Sequence, residues 1–242
     1  MAFETRFSRF ELKYMLTKQQ QDYIMQLIAP RFTPDKYGVS TIRNIYFDTD
    51  NFRLIRRSIE KPIYKEKLRI RSYCQASDNS LVFAELKKKY KHTVYKRRIA
   101  VTEQQALEWI CNDKKSFEEN QISKEIDYFI DYYGEVAPKV LLYYTREAFY
   151  STEHPDLRIT FDRDIKSRYV DLSLHSDLWG TPIIDDNKVL MEIKCGGAIP
   201  VWLANALSKQ GIFRTSFSKY GTAYQNIIYP KFKGEILNAR NF

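Results

Sequence analysis

Along much of the chain apolar and charged residues alternate one for one, the mark of strands whose two faces meet different surroundings. The alternation covers Arg6 to Met15, Val39 to Phe47, Lys65 to Cys74, Ser80 to Tyr90, Thr93 to Val101, Val140 to Tyr150, Leu157 to Asp162 and Val189 to Cys195. These eight segments predict an α+β fold: an eight-stranded antiparallel β-barrel with helices packed outside. Ser77 to Ser80 and the short gap at Lys91 and His92 read as hairpin turns, so the middle strands predict a meander. Between strands the period lengthens. Thr17 predicts the cap of a helix running to about Ala29, Thr102 with Gln105 three residues on forms a capping-box pattern, and Ser123 to Tyr133 makes a third helix. Pro200 suits the first position of a helix that Gly211 ends, and a last helix follows Ser218. Lys166 to Asn187 reads as a long connection in which Trp179 marks a packed portion. No linker or internal repeat divides the 242 residues, so a single domain over 1–242 is expected.

The charged strand positions recur as a motif. Glu-Leu-Lys stands at Glu11–Lys13 and Glu85–Lys87, and Glu192, Ile193 and Lys194 repeat the pattern. Each triplet puts Glu and Lys on one face and the aliphatic residue on the other. Arg69 and Arg71 flank Ile70 in the same way, Lys96 shares a face with Arg98, and Arg158 shares one with Asp162. Any single triplet is adequately explained as the wet face of an ordinary sheet, its ion pairs worth about 0–1 kcal/mol. Together they say more, because Leu12, Leu68, Ile70, Leu86, Ile99, Ile159, Phe161 and Ile193 lie opposite the charges. With those apolar faces under helices, the charged faces converge when the sheet closes. Buried unpaired cations are costly, so such an interior calls for water, carboxylates or an anionic ligand. A polyphosphate supplies the negative charge, Arg and Lys match its oxygens, and the few carboxylates suit Mg²⁺ or Mn²⁺.

Composition narrows the partners. A net charge of +9 points to a polyanion or an anionic surface without choosing between them. The absence of an N-terminal apolar run and of any stretch near the ~20 apolar residues that cross a bilayer predicts a cytoplasmic chain with no transmembrane segment. Cys74, Cys111 and Cys195 have no C-x-x-C spacing and there are only three histidines, which disfavours zinc. The Lys87–Lys89 and Lys96–Arg98 runs come with no nucleic-acid motif, and alternation turns half of each outward, so nucleic acid is not an expected partner. Ser218 reads as a helix N-cap rather than a nucleophile, and Gly196 and Gly197 lack phosphate-loop spacing.

The ordered motifs RFELKY (Arg9–Tyr14), IYFDT (Ile45–Thr49), KLRIRSY (Lys67–Tyr73), FAELKKK (Phe83–Lys89), VYKRR (Val94–Arg98), YYTREAF (Tyr143–Phe149), RITFDRDI (Arg158–Ile165), LMEIK (Leu190–Lys194), IPVWL (Ile199–Leu203) and FSKYGTA (Phe217–Ala223) cover nearly the whole chain. They resemble the VTC domain, the polyphosphate polymerase domain of the triphosphate tunnel metalloenzyme superfamily, in a stand-alone, bacterial form. The resemblance implies an eight-stranded tunnel with a catalytic set of Lys13, Arg69, Arg71, Lys87, Arg146, Arg158 and Lys219. It implies substrate binding by Lys96, Arg98, Lys194 and Ser218, and Mn²⁺ or Mg²⁺ held by Glu192 with Glu11 and Glu85 assisting. The implied activity is transfer of the γ-phosphoryl group of ATP to inorganic polyphosphate, with a membrane-protein partner left open. The same scaffold also suits an inorganic triphosphatase or nucleoside triphosphatase, or a non-catalytic polyphosphate-binding module. Ser216 stands where the eukaryotic polymerases begin the motif K-F-S-K with lysine, a departure that bears on chain length.

Overall fold

The computed structural model describes residues 10–77, 79–91, 93–112 and 119–233. In chain order its elements are β1 (Phe10–Thr17), α1 (Lys18–Ile28), β2 (Phe32–Pro34), β3 (Ser40–Asp48), α2 (Arg53–Ile59), β4 (Tyr64–Ser72), β5 (Leu81–Tyr90), β6 (Thr93–Thr102), α3 (Glu103–Cys111), α4 (Gln121–Tyr133), β7 (Ala137–Ser151), β8 (Arg158–Arg168), β9 (Thr181–Pro182), β10 (Lys188–Cys195), α5 (Val201–Lys209) and α6 (Lys219–Ala223), the last continuing as a π-helical turn, Tyr224–Ile228. They form two compact units, each assembled from separate stretches of chain.

The first unit takes the chain to Ser40, Tyr144–Ile165 and Ile184–Phe217. Its strands run β1-β10-β8-β7 with β2 on β7, and those pairings whose register is described are antiparallel. Thr17 ends β1 and also caps α1: its hydroxyl accepts from Gln20 N at 3.2 Å, while the Gln20 side chain accepts from Thr17 N at 2.9 Å. Strand therefore passes to helix without a loop, and both orphan amides are satisfied. Leu16, Ile159, Phe161, Val189, Met191 and Ile193 form a core with Ile24 and Ile28 of α1 and Leu203 and Leu207 of α5. Each such side chain contributes about 1.5–3 kcal/mol by leaving water.

The second unit takes Thr41–Tyr143, Lys166–Ile183 and the chain from Ser218. Its strands run β7-β3-β4-β5-β6, with β9 on the end of β8. The β4-β5-β6 meander is antiparallel, with Leu68 opposite Leu86 and Ala84 opposite Ile99. These residues and Ile70, Val82 and Val101 pack on Trp109 and Ile110 of α3 and Ile126 and Phe129 of α4. The aliphatic residue at the centre of Glu85–Lys87 is thus fully buried, as the alternation predicts.

The eight expected strands make up the main path, and β2 and β9 are short additions. Among the described residues that path is open: the antiparallel sheet with helices outside is present, and a hydrogen-bonded closure is not among its pairings. Several boundaries need correction. The third helix starts at Gln121 because Asn120, not a later residue, caps Ile122 N and Ser123 N. Pro200 is the N-cap of α5 rather than its first residue. Lys166–Arg168 continues β8 instead of opening a connection, since β9 offers it a partner at Lys166 and Ser167. Helix α2 was unforeseen. His92 of the predicted β5–β6 turn and Arg6–Arg9 of the first predicted strand lie outside the described residues. No helix among the described residues is long and apolar enough to cross a membrane.

Candidate functional site

In the first unit the register places Lys13 opposite Glu192 and Glu11 opposite Lys194. It also places Glu192 opposite Thr160 and Lys194 opposite Arg158. Lys13 Nζ lies 3.1 Å from Glu11 Oε1 and 3.6 Å from Glu192 Oε1, and it donates to the Phe217 carbonyl at 2.9 Å. Arg146 grips Asp162 through Nε (2.6 Å) and Nη2 (2.7 Å), and Nη2 reaches Glu192 at 3.4 Å. Burial opposes the guanidinium charge, but Tyr144, Asp162 and Glu192 outweigh it and hold the Arg146 pKa well above its ordinary value. Lys194 goes the other way: desolvation, aided by Arg146, pulls it down to about 8 against the attraction of Glu192. Arg158 points its guanidinium at Asp35, 3.4 Å away, over the Tyr150 ring.

The second unit carries another cluster on the charged face of β4, β5 and β6. Arg69 donates to Glu85 Oε2 through Nε (2.9 Å) and Nη2 (2.7 Å), and to the Tyr46 hydroxyl through Nη1 (2.9 Å). Arg71 Nε donates to Asn44 Oδ1 at 2.8 Å, and Asn44 in turn donates to the Leu142 carbonyl. Lys96 Nζ meets Glu85 Oε1 at 2.5 Å. Burial pushes the Glu85 pKa up, yet Arg69, Arg71 and Lys96 together hold it down to about 2. Arg98 lies over the Phe83 ring. Along the same face Lys67, Lys87 and Lys96 fall in one cross-strand row, and Lys65 faces Lys89 in the next. Like charges directly opposite one another destabilise a sheet. Burial first, then Lys89, Lys61 and Lys87, lower the Lys65 pKa. Ser218 caps α6, accepting from Gly221 N and from Lys67 Nζ at 3.2 Å, and Lys219 opens that helix. Below it Tyr220 stacks on Tyr46 and donates to the buried Asp48 at 2.9 Å, whose carboxylate also accepts from Leu54 N and Ile55 N of α2.

The predicted residues Glu11, Lys13, Arg146, Arg158, Glu192 and Lys194 thus gather in the first unit. Arg69, Arg71, Glu85, Lys87, Lys96 and Arg98 share the face in the second unit, where Ser218 and Lys219 occupy α6. Sequence reading missed the partners Asp35, Asn44 and Tyr46, grouped Asp162 with Arg158 rather than Arg146, and gave no site role to Lys65, Lys67 and Lys89. The three lysines were within reach, since they stand two residues along the strand from Lys67, Arg69 and Lys87. Among the described residues, no three His, Cys, Asp or Glu side chains come together as a metal cage. Glu11 and Glu192 nonetheless fit Mn²⁺ or Mg²⁺ by donor chemistry: both are hard oxygen donors that converge within 3.6 Å of one position held by positive charge, Lys13 Nζ, and such ions often take one or two carboxylates plus phosphate oxygens and water.

A solved structure from Bacillus halodurans, described as a candidate adenylate cyclase, superposes with a TM-score of 0.54 at 15% identity, covering 87% of this chain and 95% of that one. A Vibrio parahaemolyticus protein described in the same terms gives 0.46 at 12% identity over 88% and 96%, and a Pyrococcus horikoshii protein gives 0.42 at 14% over 92% and 99%. The likeness to the Bacillus halodurans structure shows a shared fold. The sequence itself matches the VTC domain over residues 8–228, and the chain belongs to that family. No curated protein matches it.

Proposed function

We propose that this VTC-domain protein is a metal-dependent polyphosphate polymerase that transfers the γ-phosphoryl group of ATP to a growing inorganic polyphosphate chain. The observation that carries this reading is the β4-β5-β6 face, where Lys65, Lys67, Arg69, Arg71, Lys87, Lys89, Lys96 and Arg98 share a surface with the single carboxylate Glu85. A terminal phosphate brings about 1.5–2 charges and a triphosphate roughly four. Cations in excess of that, repeated every ~6.8 Å along a strand, suit an anion that occupies several rows at once.

An oxygen of the chain's terminal phosphate attacks the γ-phosphorus. The bond to the β–γ bridging oxygen breaks, and ADP leaves with that electron pair. The acceptor is already ionised near neutral pH, so no general base is required. Lys13, Arg146, Arg158 and Lys194 would neutralise and align two anions that otherwise repel, Arg146 being oriented beforehand by Asp162. Mn²⁺ or Mg²⁺ held by Glu192 and Glu11 would supply further neutralisation of phosphoryl oxygens. On the second unit Arg69, Arg71, Lys87, Lys96, Arg98 and Lys219 would bind polyphosphate. ATP as donor suits a cytoplasmic setting.

The test is to incubate the purified protein with ATP and Mn²⁺, resolve products on a polyphosphate-stained gel and assay orthophosphate in parallel. A ladder with ADP is expected. Stoichiometric orthophosphate without a ladder means a triphosphate hydrolase instead, and no ADP with any divalent metal means a binding module.

A further inference from the structure

Glu85 is the only carboxylate among the described residues of the β4-β5-β6 charged face, and it is almost fully buried there. One oxygen takes both the Nε and Nη2 of Arg69 and lies 3.9 Å from Arg71 Nε, while the other is 2.5 Å from Lys96 Nζ. A divalent ion joining it would have to break the 2.5–2.9 Å contacts to Arg69 and Lys96 against like charge, whereas Lys13, Arg146 and Lys194 approach Glu192 only at 3.4–3.9 Å. The two arginines are also fixed on their far sides. Tyr46 accepts from Arg69 Nη1, and Asn44, itself anchored on the Leu142 carbonyl, accepts from Arg71.

We infer that Glu85 is a positioning residue, an internal counter-ion that sets Arg69, Arg71 and Lys96 in place for a phosphate chain, and that it is not a ligand of the metal. This rests on the anion-binding reading of the face given above. A positioning carboxylate beneath three cations has a signature that a merely structural one lacks. When its charge is removed, the cations lack compensation, and an anion bound above them should restore more stability than it adds to the native protein. The carboxylate held at about 2 stays ionised throughout the useful pH range.

The experiment compares the whole chain with Glu85→Gln and Glu85→Asp, measuring thermal midpoints with and without inorganic tripolyphosphate in EDTA, and Mn²⁺ affinity by titration without nucleotide. Expected for Glu85→Gln are a lower midpoint, a tripolyphosphate-induced rise roughly twice that of the native chain and unchanged Mn²⁺ affinity. If Glu85→Gln does not fold, Glu85→Asp, which keeps the charge and shortens the reach, should show the larger rise in lesser degree. A loss of Mn²⁺ affinity of roughly tenfold or more would make Glu85 a metal ligand and overturn the inference. Equal tripolyphosphate responses in native and variant proteins would reduce it to a structural ion pair. No response in the native chain would overturn the anion-binding reading and this inference with it.

Discussion

Acid should weaken the second unit through Glu85 in a defined window. The carboxyl falls from an ordinary 4.5 to about 2 in the folded chain, because three cations outweigh its burial. At 1.36 kcal/mol per pH unit this depression is worth about 3 kcal/mol. Between those values the unfolded chain binds more protons than the folded one, so the contribution is fully present above pH 4.5 and is lost as the pH falls through 2. By pH 3 roughly 2 kcal/mol should be gone, which for a chain of this size is a fall of about 4–8 °C in melting midpoint. Other carboxylates titrate in the same range, and Glu85→Gln isolates the one of interest. At pH 6 that variant should be less stable by about 3–5 kcal/mol, the usual effect of removing one partner from a buried ion pair. The gap between native and variant midpoints should narrow by about 4–8 °C between pH 6 and pH 3 in circular-dichroism melts at constant ionic strength. A gap that stays constant across that range would mean that Glu85 has the same proton affinity folded and unfolded, and that its three cations do not depress it.

Other outcomes can be checked with the same preparations. Glu192→Gln should abolish Mn²⁺-dependent turnover while leaving tripolyphosphate binding in EDTA largely intact; a folded variant that still turns over would remove Glu192 from the metal site. Arg69→Ala and Arg71→Ala should each weaken tripolyphosphate binding by about 1.5–3 kcal/mol in calorimetry, the worth of a hydrogen bond to a charged group. Ile70→Ala, at a fully buried position, should instead lower stability by about 2–5 kcal/mol. Lys65→Gln with Lys89→Gln should shorten the polyphosphate ladder more than it slows ADP release, and rising salt should do the same by screening; equal effects on both would mean the lysines serve only ATP.

The parity of side chains along strands was legible from the start. Ile70, Leu86, Ile159 and Ile193 are buried on the faces the alternation assigns, with charges opposite. Caps were equally readable where donor and acceptor are three residues apart, as at Thr17 and Thr102. What stayed hidden depends on register and on partners distant in sequence. Asp162 holds Arg146 from sixteen residues away on a neighbouring strand, and Asn44 reaches Arg71 across β3 and β4. Neither pairing leaves a mark on local periodicity. Helix α2 escaped notice because its N-terminal amides are capped by Asp48, six and seven residues upstream, and it begins after Phe52 in the left-handed region at φ 57°. The end of β8 was missed because buried Ser167 and Arg168 break the polar-apolar pattern; Arg168 serves instead to bind the Asp171, Asp177 and Trp179 carbonyls.

The pairing of β1 with β10 has a consequence for synthesis. Phe10 meets Cys195 and Thr17 meets Lys188, so the first described strand finds this partner only after about 180 further residues have been made. At ribosomal rates of about 5–20 residues per second that is a wait of roughly 9–36 s. Throughout it the backbone amides and carbonyls of β1 facing β10 lack that ladder, while neighbouring nascent chains offer unwanted ones. Glu11 and Lys13, considered above for phosphate chemistry, interrupt the apolar run of this strand and so act as gatekeepers against self-association before β10 emerges. The charges that would serve a mature polyanion site would on this view already protect the chain during its own translation.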